Sequence, residues 1–185
     1  MNESVRNGFV SRVLTSKKPT LIVIPLLVAS CNTNVPYQTN WAPLPSVAYS
    51  IPHSRYRAVS DRNQSLAYIL IGETRDLDGS NWIALDEGQG QLTVVIGEDD
   101  SVIERHILYE NKDYKVDNGR LSFVKKTGMR DADVAVAWVN TQYLLSTSTD
   151  GSLIAQKITR TYGLIMVVFP VWATDTSWIR WPVLE

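Results

Sequence analysis

Beyond residue 54 the chain alternates apolar and polar positions in short runs separated by turn-forming residues. Gln91–Glu98 is the clearest case: Leu92, Val94 and Ile96 step between Gln91, Thr93 and Val95, the period of two that buries one face of a strand. Residues 55–59, 82–86 and 102–110 carry similar β-rich runs, with Gly88-Gln89-Gly90 as the turn between 82–86 and 91–98. Residues 65–71 combine a helix-capping Ser65 and a helix-stopping Gly72 with β-favouring Tyr and Ile, and we read them as a short helix. Asn118-Gly119 and Asp150-Gly151 each sit between two such runs (114–116 and 121–125; 143–149 and 152–159), where type I′ hairpin turns are expected. Asp78-Gly79 is a third dipeptide of this kind, in a longer loop. The longest predicted strand, 133–149, sets Val134, Val136 and Trp138 against Ala135, Ala137, Val139 and Tyr143, which suits a central position. Residues 163–172 are almost wholly apolar and read as one strand buried on both faces, with Pro170 restricting pairing near its end. Residues 178–181 close the pattern, with Trp178 and Arg180 opposite Ile179 and Trp181.

These runs predict an all-β fold, an antiparallel meander of about eight strands closed as a barrel or stacked as a two-layer sandwich, with one short helix near 65–71. Residues 32–53 hold four prolines, many small polar residues and no charge apart from His53. They read either as an extended tether or, through Tyr37, Trp41 and Tyr49, as a segment docked on the domain.

The N-terminus breaks the pattern. Arg6, Arg12, Lys17 and Lys18 face only Glu3 in charge, and an apolar run over 21–30 follows. That run is about half the roughly 20 residues a membrane-spanning helix needs. A basic segment, a short apolar segment and small residues at its end form the layout of a secretory signal peptide. Val28-Ala29-Ser30-Cys31 resembles the lipobox of bacterial prolipoproteins: an aliphatic residue, two small residues and an obligatory cysteine. The resemblance implies a diacylglyceryl thioether on Cys31, cleavage between Ser30 and Cys31, and acylation, commonly with palmitate, of the new amino terminus. Each buried acyl methylene contributes about 0.8 kcal/mol, so two or three chains make a stable anchor. The implied organisation is a signal peptide over 1–30, a lipid-anchored tether over 31–53 and a β domain over 54–185. Asn32, in place of an aspartate, implies the outer rather than the inner membrane of a two-membrane cell.

Charge and composition then narrow the function. The whole chain carries 18 basic and 19 acidic side chains, which removes the electrostatic case for nucleic-acid binding. Residues 31–185 alone hold 14 basic and 18 acidic side chains, so a polybasic grip on anionic lipid is not expected of the mature chain as a whole. One cysteine permits no internal disulfide, two histidines leave little for a His/Cys metal site, and no cofactor is expected. No Gly-x-Ser-x-Gly, P-loop or dinucleotide fingerprint occurs. His106 reads as a strand histidine beside Glu104 and Arg105. The acidic groups Asp76/Asp78 and Glu98/Asp99/Asp100 lack the spacing of a calcium loop. Trp138, Trp172, Trp178 and Trp181 are candidate ligand-contact aromatics, although core burial is the commoner fate of tryptophan.

Asp150-Gly151-Ser152-Leu153, the apolar stretch from Gly163 and the Trp178-Ile179-Arg180-Trp181-Pro182 ending resemble a loose group of small uncharacterised proteobacterial lipoproteins. Arg55-Tyr56-Arg57 and residues 66–72 are similar to the front of that group, which implies fold and localisation only. The leading expectation is a non-enzymatic envelope lipoprotein acting as an interaction or structural module, held to the membrane through Cys31 and in contact with another envelope protein. Its rivals are a lipocalin-like binder of a small apolar ligand, and an envelope hydrolase in which His106 meets a carboxylate in a cleft.

Overall fold

The computed structural model describes residues 29–45, 51, 53–72, 77–78, 80–132, 135–165 and 169–184. The apolar leader up to Val28, together with Tyr49, Asp76, Gly79, Asp133 and Val134, lies outside the described residues.

Two open sheets face each other, and neither closes into a barrel among the described residues. One is a four-strand meander, β2 (Ser54–Arg57), β3 (Asn81–Gly88), β4 (Gln91–Glu98) and β5 (Ser101–Tyr109), extended beside β2 by β11 (Val183–Leu184). The other is a five-strand meander, β6 (Lys115–Asp117), β7 (Arg120–Ala132), β8 (Ala135–Thr147), β9 (Leu153–Ile165) and β10 (Phe169–Trp181). It gains a sixth strand, β1 (Ala29–Asn34), laid parallel along β10. The expected all-β class is therefore present, as a sandwich with eleven strands among the described residues.

The alternation seen in the sequence becomes burial. Leu92, Val94 and Ile96 are fully buried, as are Leu145, Leu153, Ala155 and Trp181 from the facing sheet. Tyr56, Phe123, Tyr143 and Ile179 belong to the same core between the layers. Helix α1 (Leu66–Ile71) adds Leu66, Ala67, Ile69 and Leu70 to it. Its six residues have the expected punctuation: the Tyr68 amide donates to Ser65 Oγ, and Gly72 ends the helix at φ 83°. Such a short helix owes its stability to that buried face rather than to propensity.

Two expectations need correction. First, residues 163–172 are not one strand: Gly163–Ile165 ends β9 and Phe169–Trp172 begins β10, antiparallel to it. An apolar stretch without alternation or a turn dipeptide gives no sign of the reversal. Second, Asn118 and Gly119 both take positive φ, as a type I′ turn requires, but at Asp150-Gly151 only the glycine does. There the Gly151 amide donates to the Ser148 carbonyl and the Ser148 amide to the Ser152 carbonyl, a three-residue loop with a glycine bulge. The Asp150 carboxylate holds this loop by accepting from the Ser148 hydroxyl and the Ser152 amide. Residues 29–34 are extended and paired, and residues 35–45 lie against the outer face of the six-stranded sheet: the Val35 amide donates to Thr176 and the Thr149 amide to Pro43. Residues 32–45 are thus attached to the domain along the edge and outer face of this sheet.

Candidate functional site

Cys31 is exposed on β1, an edge strand, in register with Ala173 of β10. Ser30, the other residue of the expected cleavage site, precedes it on the strand in register with Trp172. The four candidate tryptophans do not converge on one site. Trp181 is fully buried in the core, where its indole N–H donates to the Gln64 carbonyl at 3.0 Å. Trp178, two strand positions from Arg180, points to the outer face and meets Tyr37 edge-on at 5.0 Å. Trp138 and Trp172 also lie on the outer face, towards the end of the sheet where β1 begins.

Tyr162 joins the last two. It is in register with Trp138 on β8 and with Trp172 on β10, so the three rings form one row across three strands. Trp138 and Tyr162 stack at 6.1 Å with ring planes 14° apart. All three are exposed, at 42%, 47% and 50% for Trp138, Tyr162 and Trp172. Ser30 continues the row onto β1, and Cys31 follows one position later. Tyr162 was not singled out from the sequence, because only strand register reveals its place between two tryptophans.

Elsewhere on the same outer face the aromatics are covered. Tyr37 packs edge-on against both Trp41 and Trp178 and donates its hydroxyl to the Ala42 carbonyl at 2.6 Å. Burial pushes the Tyr37 phenol above its ordinary value; Asp150 adds to the rise and Arg180 opposes it. Arg180 Nη2 donates to Asp150 Oδ2 at 2.8 Å and to Ser152 Oγ at 3.1 Å. Desolvation pulls the Asp150 carboxyl upward, but the Ser148 hydroxyl, the Ser152 donors and Arg180 outweigh it, leaving the group below its ordinary value.

The five-stranded sheet bears a separate open groove of about 380 Å³ on its outer face. Ala84 and Val95 form its floor between Arg55 and Arg105, which are in one cross-strand row. Arg55 stacks 4.2 Å over the Trp82 ring, whose N–H donates to the Asp99 carbonyl at 2.7 Å. Gly97 makes room for this indole, since a β-carbon there would overlap it. His106 pairs with Glu104 at 2.8 Å on the opposite, inward face of β5.

Glu98 pairs with Ser101 at the turn that contains Asp99 and Asp100. Among the described residues no group of three or more His, Cys, Asp or Glu side chains is placed to hold a metal ion, and no helix is long and apolar enough to cross a membrane. Comparison with known proteins returned no matching family model, curated protein or solved structure.

Proposed function

We propose that this chain is a lipid-anchored, non-enzymatic lipoprotein of the bacterial envelope, whose β domain serves as an interaction or structural module. The observation that carries the reading is the Val28-Ala29-Ser30-Cys31 motif behind a basic and apolar leader. The position of Cys31 supports it: an exposed thiol on an edge strand is open to an acyl-transfer enzyme and leaves attached chains free to enter lipid. Cleavage before Cys31 would keep four of the six register pairs that β1 makes with β10. In a two-membrane cell Asn32 favours the outer membrane, with the domain in the periplasm.

The reading is tested by expressing Cys31→Ser beside the native chain and labelling both with palmitate. The native chain should incorporate label and fractionate with membranes, and the variant should lose the label. Equal labelling of the two would sink the anchor.

A further inference from the structure

We propose that the end of the six-stranded sheet nearest Cys31 is itself a membrane-contacting face, on which β8, β9 and β10 dip into the lipid surface. This rests on the lipid-anchor reading and extends it, by naming which part of the domain meets the bilayer and how deeply.

Three strands carry the same stepwise order on the outer face. Asn140, Trp138 and Val136 succeed one another at two-residue spacing on β8; Arg160, Tyr162 and Leu164 do so on β9, and Thr174, Trp172 and Pro170 on β10. The register aligns them into rows: Asn140 with Arg160 and Thr174, Trp138 with Tyr162 and Trp172, Val136 with Leu164 and Pro170. Lys126 of β7 pairs with Asn140 and extends the first row, and both Lys126 and Arg160 are exposed. The outer face therefore passes from a cation-bearing row through an aromatic row to an apolar row.

A lipid surface presents matching chemistry in the same order. Anionic phosphates lie outermost, the interface beneath them favours Trp and Tyr, and hydrocarbon follows. At about 3.3 Å per residue, alternate positions on a strand are about 7 Å apart. That places the apolar row about 7 Å below the aromatic one, inside the roughly 5–10 Å reached by elements that lie in an interface. Neither the cation-bearing row nor the aromatic row contains a carboxylate among the described residues. β7 brings Asp131 into register with Val136, so the apolar row ends at β8.

Cys31 supplies the independent link. Its partner Ala173 lies between Trp172 and Thr174, so along the strand axis the acylated sulfur falls between the aromatic and the cation-bearing rows. Cys31 on β1 and the layering on β8 to β10 thus place the bilayer surface at the same level of the sheet.

The test uses the full-length gene, with processed protein purified from membranes and reconstituted in phosphatidylethanolamine/phosphatidylglycerol vesicles. Emission is compared between plain and acyl-brominated lipid, which quenches indoles that reach the interface. Trp82 and Trp181 are buried and Trp41 and Trp178 belong to the covered aromatic cluster, so two of six tryptophans should respond, a fall of up to about one third. The fall should vanish in Trp138→Phe/Trp172→Phe, which alters only exposed positions and should leave the urea-unfolding midpoint at the native value. Equal emission from a palmitate-labelled chain in both lipids overturns this inference and leaves the anchor standing. Absence of palmitate label overturns both. Shielding of Trp138 and Trp172 from brominated lipid and from aqueous iodide alike assigns the face to a second copy and also overturns it.

Discussion

The six-stranded sheet has two ends made from the same long strands, and their aromatic residues meet opposite fates. At the end where Trp178, Ile179, Arg180 and Trp181 lie, both faces are covered: Trp181 and Ile179 by the second sheet, Trp178 by Tyr37. At the other end, Trp138, Tyr162 and Trp172 stand exposed in one row. Residue type does not separate the two groups, since tryptophan occurs in both. What separates them is reach. β7 to β10 each run 13 residues, whereas β3, β4 and β5 run eight or nine, and the outer cover from residues 35–45 is held at the Trp178 end. A row of large aromatics at the exposed end is the kind of surface that marks a contact.

The contrast can be broken by substitution. The largest effect is expected at the covered end: Trp181→Ala removes a fully buried side chain and the donor to Gln64 and should cost about 3–5 kcal/mol in urea unfolding. Next comes Gly163→Ala at the exposed end. A β-carbon there would overlap the Val136 carbonyl oxygen and the Ala137 Cα, so a cost of about 1–3 kcal/mol is expected, together with faster amide exchange confined to the β8–β9 pairing near it. An equal rise in exchange across the core strands would show that the two ends unfold as one unit.

Asp150 offers a smaller, pH-dependent effect at the covered end. Its folded pKa lies below the unfolded value, so its stabilisation is complete above the unfolded value of about 4 and fades as pH falls through the folded one. With Asp150 37% exposed, the loss should stay under about 1 kcal/mol. Asp150→Asn should therefore flatten the acid limb of a pH–stability curve and leave the neutral limb parallel to the native one. The smallest change belongs to Trp172→Ser, expected within about 0.5 kcal/mol of native stability because its ring is half exposed. A loss comparable to that of Trp181→Ala would show that the exposed row is structural.

The covered end was largely readable from the sequence. Leu92, Val94 and Ile96, and Ile179 with Trp181 against Trp178 with Arg180, alternate because one face of each strand is buried and the other is not. Ser65 and Gly72 marked α1 because cap chemistry is local. The exposed end was not readable in the same way. Residues 163–172 are apolar at nearly every position, so no period survives to show the reversal between β9 and β10. The meeting of Trp138, Tyr162 and Trp172 depends on registers across strands more than twenty residues apart for the outer pair. Likewise, nothing near residue 31 announces a parallel partner in β10. The stepwise order of Arg160, Tyr162 and Leu164 was visible as letters, but acquires meaning only when two neighbouring strands repeat it.

The parallel pairing of β1 with β10 also has a mechanical consequence. From Cys31 the strand runs along β10 towards the covered end, reaching Asn34 opposite Thr176. A pull at Cys31 directed away from the domain therefore acts along the strand axis, across hydrogen bonds that are evenly spaced in a parallel ladder. The bonds are loaded together in shear instead of opening one after another. Tension applied at Cys31 would be borne collectively by the edge of the sheet.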